Sequence, residues 1–360
     1  MSKTQYYSID EVGHHHRTDD AWVIVDSRVF DITPFLDTHP GGLEILKDHL
    51  GHDVSTIMKD ESSHQHTGPA YEVLEDYYIG ELTDGQLHHN GGAINGGPVN
   101  RKKWREDDLV DWSKPIFPQV AQIGEHYEEW VHSPVNRKLR LFNSDFVEFF
   151  SKSPWWLVPL VWVPSILYIC WLALTAAPTY VPTLSPAPAP GLLDLIFLPL
   201  GILLWTFIEY SLHRFVFHLR VPYTGLASKI LLPFHFTIHG QHHKVPFDSM
   251  RLVFPPLPAA AIAVVVYLPL AHILPCDLNQ MRLLLAGGLI GYLFYDMMHY
   301  YLHYGSPSAG GYLSDLKSYH VAHHYVNPGL GYGISSKLWD VPFGTLLPAS
   351  MFPQRKKRAN

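Results

Sequence analysis

Cysteine is almost missing from this chain of 360 residues: there are two, Cys170 and Cys276, far apart and within or beside apolar runs. That excludes a disulfide framework, and both read as small buried hydrophobes in a protein whose chemistry faces the cytosol. Excess positive charge is lacking too. A formal charge of −7 and the absence of a long basic block argue against nucleic acid as a partner. Met1–Asp10 has no apolar core and no small-residue cleavage site, so no cleaved leader is expected and a later segment must direct insertion. No Gly-rich dinucleotide fingerprint follows a strand pattern, because the glycines at 91–97 lie in a polar stretch. Reducing equivalents must therefore come from another protein.

The zero mean hydropathy averages two unlike halves. Residues 1–150 hold most of the charge, while 155–304 are mostly apolar. Four runs, about 155–177, 192–210, 256–273 and 283–301, are long enough to cross about 30 Å of hydrocarbon. Four crossings place both termini on one side. The turn at 178–191 has no Lys or Arg and 274–282 has only Arg282. Arg137, Lys138, Arg140, Lys152, Arg214, Arg220, Lys229, Lys244 and Arg251 fall on the other side with the basic tail Arg355–Arg358. Both termini are thus expected in the cytosol.

Histidine is abundant, with 24 residues. Two His-x-x-His-His boxes, His239/His242/His243 and His320/His323/His324, place imidazoles at i, i+3 and i+4, spacings that one helix face brings together. His213 with His218 and His299 with His303 are two further pairs. Along their helices His213 and His299 lie about 32 and 24 Å from the span starts, at 1.5 Å per residue, so both emerge near the cytosolic edge. All four clusters converge on one face. Ten histidines desolvated there without a common partner would be costly, so they are read as one metal centre, with two ions because ten nitrogens exceed what one ion holds. Imidazole alone does not choose among iron, zinc, copper and nickel. Asp296, one turn before His299, and Glu209, one turn before His213, are candidates to hold the outer ring N–H groups. The five-residue step from His213 to His218 is about 140° round an ideal helix, so either the helix loosens there or the pair bridges two metals. His235 is outside the spacing pattern, and His126, His132 and His272 have no evident partner.

The first 82 residues read as a small mixed fold. Trp22–Val25 and Val29–Ile32 are strands around an Asp26-Ser27 turn, and His39 is presented by the constrained Pro40-Gly41-Gly42 loop. Residues 83–100 lack periodicity and form a tether spanning roughly 20–25 Å. Residues 101–152 interleave aromatic and charged residues, as expected of amphipathic helices that lie on a bilayer or cap the metal site.

The motifs Asp20–Ile24, Phe35–Gly42 and Ile79–Leu82 resemble the cytochrome b5 haem-binding domain. The resemblance implies haem b held by two axial histidines, the first being His39. His64 and His66 both compete for the second place, and counting back from Ile79-Gly80 favours His66. The acidic set Glu44, Asp48, Asp53, Asp60 and Glu61 would surround the haem mouth, either as a solvated face or to steer a basic reductase.

The histidine boxes are similar to those of the membrane fatty acid hydroxylase and desaturase superfamily, whose metal is non-haem diiron; iron is expected in the active enzyme, and zinc, which out-competes iron(II) at most nitrogen sites, is the competitor in an overexpressed sample. Fused to a b5 domain, the pattern resembles the fatty acid 2-hydroxylases, most specifically at His239-Gly240-Gln241-His242-His243-Lys244-Val245-Pro246-Phe247-Asp248. The implied fold is an α+β haem domain (1–82) followed by an all-α four-span membrane domain (153–360) with a cytosolic polyhistidine cap. The implied reaction inserts oxygen from O2 at C2 of a ceramide acyl chain or free very-long-chain acid, with electrons reaching the haem from an NADH-dependent b5 reductase. Two rivals stand beside it: a sterol or sphingolipid desaturase or C4-hydroxylase of the same superfamily, and a membrane haem carrier or metal-storage protein without catalysis. The tail Lys357-Arg358-Ala359-Asn360 resembles a dibasic retrieval signal, which implies the endoplasmic-reticulum membrane.

Overall fold

The computed structural model describes residues 4–39, 43–59, 66, 68–83, 106–135, 137–175, 191–305, 307 and 311–351. Residues 84–100 of the tether and the basic C-terminal tail lie outside the described residues, as do His64 and the Pro40-Gly41-Gly42 loop.

The N-terminal unit is built on a five-stranded sheet. Its strands are β1 (Tyr6–Tyr7), β2 (His16–Arg17), β3 (Asp20–Val25), β4 (Arg28–Asp31) and β5 (Tyr78–Leu82), in the order β1-β5-β4-β3-β2. β3 and β4 form a hairpin in which Val25 faces Arg28 and Trp22 faces Asp31. Asp26 and Ser27 both take positive φ (50° and 67°), the backbone that lets a two-residue loop follow the strand twist. One sheet face buries Ala21, Val23, Val25 and Phe30 against Leu36, Val54, Met58 and Val73 from the turns and helices that follow. This is the α+β unit expected from the strand pattern.

Four helices are long and apolar enough to cross a membrane: Leu157–Thr175, Leu192–Phe217, Pro256–Ile273 and Leu278–Tyr304. The second and fourth outrun the apolar stretches read from sequence. Helix four begins early because Asp277 caps it, accepting from the Asn279 and Gln280 amides while Gln280 reaches back to the Asp277 amide. Helix two continues past Tyr210 because Glu209 is buried there and does not end it. The second and fourth helices pack closely: a Cβ on Gly201 would sit 2.2 Å from the Leu284 carbonyl, and one on Gly287 2.1 Å from that of Leu198. Any side chain at either position would force the two helices apart.

Residues 106–151 supply short helices, chiefly Phe117–Ile123, Tyr127–Val131 and Asp145–Phe150. The first two bury Val120, Tyr127 and Trp130 against Leu232 and Phe236 from the segment after the second span, so they cap the histidine end. Asp145–Phe150 instead leaves Phe146 and Phe149 exposed, as expected of a helix lying on a bilayer.

Candidate metal centre

Each histidine pair is set by a local departure from ideal helix or by its place at a helix end. Leu212–Phe217 is a π-helix turn, and the His218 amide donates to the His213 carbonyl at 3.0 Å, five residues back. The wider turn removes the 140° offset of an α-helix and brings the two rings to 4.9 Å. Of the two outcomes open at the sequence level, the helix loosens. A second π turn, Phe236–Gly240, leads into the helix Gln241–Lys244, so the His239/His242/His243 box straddles both. His299 and His303 lie in the last two turns of the fourth span, and the His320/His323/His324 box lies at the end of helix Tyr312–Tyr325.

The ten histidines fall into two groups. In one, ligand nitrogens of His242, His299, His303, His320 and His324 all lie within 4.8 Å of one another. Its Nε2 contacts are His299–His242 at 2.9 Å, His242–His324 at 3.0 Å, His324–His320 at 3.1 Å and His303–His320 at 3.0 Å. The other group joins His213, His218, His239 and His323, again within 4.8 Å. His239 Nε2 is 3.2 Å from both His213 and His218, and His323 is 3.0 Å from His218. His243 completes it through a 3.0 Å contact with His239, and its ring also lies 4.2 Å from His324 of the first group. Each box is therefore divided. Its i, i+4 members stay together, and its middle member, His242 or His323, crosses to the other group.

Neighbouring ligands at right angles on an ion about 2.1 Å away stand about 3 Å apart, the spacing seen here. Burial holds the imidazoles of His218, His239, His242, His243, His320, His323 and His324 well below the ordinary histidine range, reinforced by like neighbours. They are neutral at pH 7, which is the state a metal requires. Outer-ring hydrogen bonds fix three tautomers. His213 Nδ1 meets the Tyr332 carbonyl at 2.6 Å, His323 Nδ1 meets that of Leu330 at 2.8 Å, and His299 bonds the Leu252 backbone. Each leaves Nε2 for an ion. The donor set fits two ions bound entirely by nitrogen.

The expected carboxylate partners are corrected. Asp296 does not touch His299; it accepts from the Phe254 amide (3.1 Å) and the Tyr292 hydroxyl (3.3 Å). Glu209 does not touch His213; it accepts from the Ile334 and Ser335 amides (3.1 and 2.8 Å) and the Ser335 hydroxyl. Both carboxylates pin loops that lack internal ladder bonds, and those loops supply the Leu252 and Tyr332 carbonyls to the rings. Asp340, unmarked in the sequence, does the same from the Tyr332 and Gly333 amides (3.0 and 2.9 Å), and burial raises its carboxyl. Replacing Glu209 with Ala is expected to weaken one ion about tenfold, at the lower end of the loss for outer partners, without loss of haem. Titration with a competing chelator checks this.

The four histidines set aside in the sequence divide. His132 joins the site: it groups with His218 and His243, and its ring stacks on that of His218 at 6.4 Å. It comes from the capping segment, where no paired spacing announces it. His235 serves packing, with Nδ1 2.6 Å from the Tyr127 hydroxyl. His126 and His272 are outside both groups. The His239/His242/His243 box is fastened to the cap through the polar residues in and beside it. Lys244 Nζ donates to the Ser133 carbonyl at 2.5 Å, and Gln241 accepts from Arg251, which also pairs with Glu148.

In the N-terminal unit the ring centres of His39 and His66 are 6.1 Å apart, and His39 is buried. That is roughly the separation of two imidazoles clamping one haem iron, and the apolar cluster behind them suits a macrocycle. Of the acidic set, Asp53 is engaged locally with the Ser55 amide and hydroxyl.

Comparison with known proteins agrees with this division. Residues 198–345 match the family model "Fatty acid hydroxylase", and residues 8–83 match "Cytochrome b5-like Heme/Steroid binding domain". The chain is 41% identical to the fatty acid 2-hydroxylase of Macaca fascicularis, covering 95% of each chain. It is 32% identical to the ceramide very long chain fatty acid hydroxylase SCS7 of Saccharomyces cerevisiae, covering 96% of each. A solved structure titled "Full length scs7p (only hydroxylase domain visible)" superposes with a TM-score of 0.58 at 32% identity, covering 70% of this chain and 90% of that one.

Proposed function

Since this chain belongs to the fatty acid 2-hydroxylase family, a cytochrome b5-like domain joined to a membrane hydroxylase, we propose that it hydroxylates C2 of a ceramide acyl chain or a free very-long-chain fatty acid. The observation that carries the reading is an apolar channel that runs between the four spans and ends beneath the histidines. It is partly open to the outside, its closed interior is about 100 Å³, and its lining residues, almost all apolar, include Trp162, Gly201, Ala263 and Met281. Met281 and Tyr295 both line it, about 21 Å apart along the fourth span at 1.5 Å per residue. It is deep enough for a long acyl chain lying nearly parallel to the spans.

Phe217 and Phe254 close the histidine end of the channel, their rings stacked at 6.2 Å. Phe217 also stacks on His239 at 5.1 Å, so an acyl chain in the channel brings its first carbons against the centre. The apolar walls exclude water and fix which carbon reaches the metal, so position is set by depth and not by side-chain chemistry. A C–H bond next to a carbonyl resists polar oxidation at neutral pH; two iron ions held by the ten histidines would supply O2-activating redox chemistry, and haem held by His39 and His66 would supply single electrons. Zinc bound in their place would block turnover without changing the fold. The buried neutral rings hold no acid for proton transfer, and Glu209 and Asp296 are committed to loops.

The electron source is proposed to be a separate NADH-dependent reductase docking on the haem domain. The domain limits, the endoplasmic-reticulum membrane and the cytosolic placement of both termini follow the charge pattern and the family. Expressing the chain in cells lacking such an enzyme, with lipid analysis, tests the function. The expected result is new 2-hydroxy ceramides with double bonds and sterols unchanged; altered unsaturation without 2-hydroxylation would favour a desaturase.

Gly288 offers a finer test. It lines the channel, and a Cβ there would meet only the Gly201 carbonyl at 3.9 Å. Gly288→Leu is expected to fit the fold yet fill the channel, reducing kcat/KM for long acyl substrates roughly tenfold or more. Metal and haem content should not change, and kinetics across chain lengths check it.

A further inference from the structure

The N-terminal domain is seated against the histidine domain through two aromatic side chains. Phe35 lies in the turn Thr33–Thr38 that ends at His39, and the two rings are 5.7 Å apart. The Phe35 ring also meets that of Phe247 at 5.3 Å, edge to face at 81°. Phe247 follows His243 by four residues, yet it packs with the N-terminal core around Leu36 and Tyr77. The same turn touches the fourth span. On its other side, the Phe247 carbonyl accepts from the Tyr304 hydroxyl at 2.6 Å. Phe247 and Tyr304 line a small cleft with His303 and His324, both from the five-histidine group. Contacts thus run from His39 through the Phe35 and Phe247 rings, and through the Phe247 carbonyl and Tyr304, to the wall of the metal centre.

We propose that the Phe35–Phe247 contact is the docking seat that holds the haem-binding domain over the His303–His324 wall of the metal centre. The proposal rests on the functional reading above for what the two sites carry. One aromatic pair is a weak contact between separate molecules. Within one chain the partner is present at an effective concentration on the order of millimolar, so a weak seat is occupied much of the time and still releases. The haem domain can then face its metal centre in one arrangement and a reductase in another.

The test uses the full-length protein with p-benzoylphenylalanine in place of Phe35. Light should cross-link it to the peptides holding Phe247 or Tyr304. Phe247→Ala should lower that yield about fivefold or more, and Phe247→Tyr should keep it. Haem absorbance and metal content that match between the Phe247 variants and the protein with Phe247 intact show that a lost yield is not unfolding. Cross-links scattered over the surface, or a yield indifferent to Phe247→Ala, would overturn the docking seat. A normal cross-link in a protein that makes no 2-hydroxy lipid would overturn the functional reading and leave the seat standing.

Discussion

His320→Ala is expected to abolish hydroxylation while leaving the haem spectrum intact. His320 is fully buried, with Nε2 at 3.0 Å from His303 and 3.1 Å from His324, so the three would share one ion. Its removal deletes one of five nitrogens and leaves a void that four neutral rings cannot fill. Losing only an outer partner of a ligand costs about 10–100-fold in metal affinity, so losing the ligand itself should cost more. Activity should fall by about 1,000-fold or more. The metal-to-haem ratio separates this from unfolding: it should drop while haem stays at one per chain. The helix that carries His320 also buries Leu316 and Tyr319, which keep it in place without the metal.

His39→Ala should do the reverse. Its ring faces His66 across 6.1 Å, and one imidazole does not hold haem as two do. Haem should be lost from most of the protein, with the non-haem metal retained because its ligands belong to the other domain. Turnover with reductase and NADH should fall by about 100-fold or more. Absorbance near the haem band and elemental analysis on the same sample check both halves. Equal loss of both cofactors in either variant would refute two separate sites.

The large-scale plan was legible in sequence because it rests on strong, local signals. The four apolar runs have no competing interpretation, and the paired spacing of His299 with His303 survives intact on one helix face. What escaped depends on contacts between distant segments. Glu209 and Asp296 sit one turn from a ligand, as an outer partner would, but the loops around Ile334 and Phe254 have greater need of an acceptor. The rings find backbone carbonyls instead. His132 has no neighbouring histidine to mark it, and only folding of the capping segment brings it to His218. Phe247 reads in the sequence only as part of the His239–Asp248 motif, and nothing along the chain shows that it faces Phe35. The five-residue step from His213 to His218 left two outcomes open in the sequence, a loosened helix or a pair bridging two metals, and the π turn at Leu212–Phe217 decides for the first.

The central claim is that ten imidazoles hold two ions beside the end of an acyl channel, apart from the haem. The most direct test is a count of non-haem metal per haem in the purified full-length protein. Two ions per haem is the expected value; one or none, in protein with a complete haem spectrum, would contradict it.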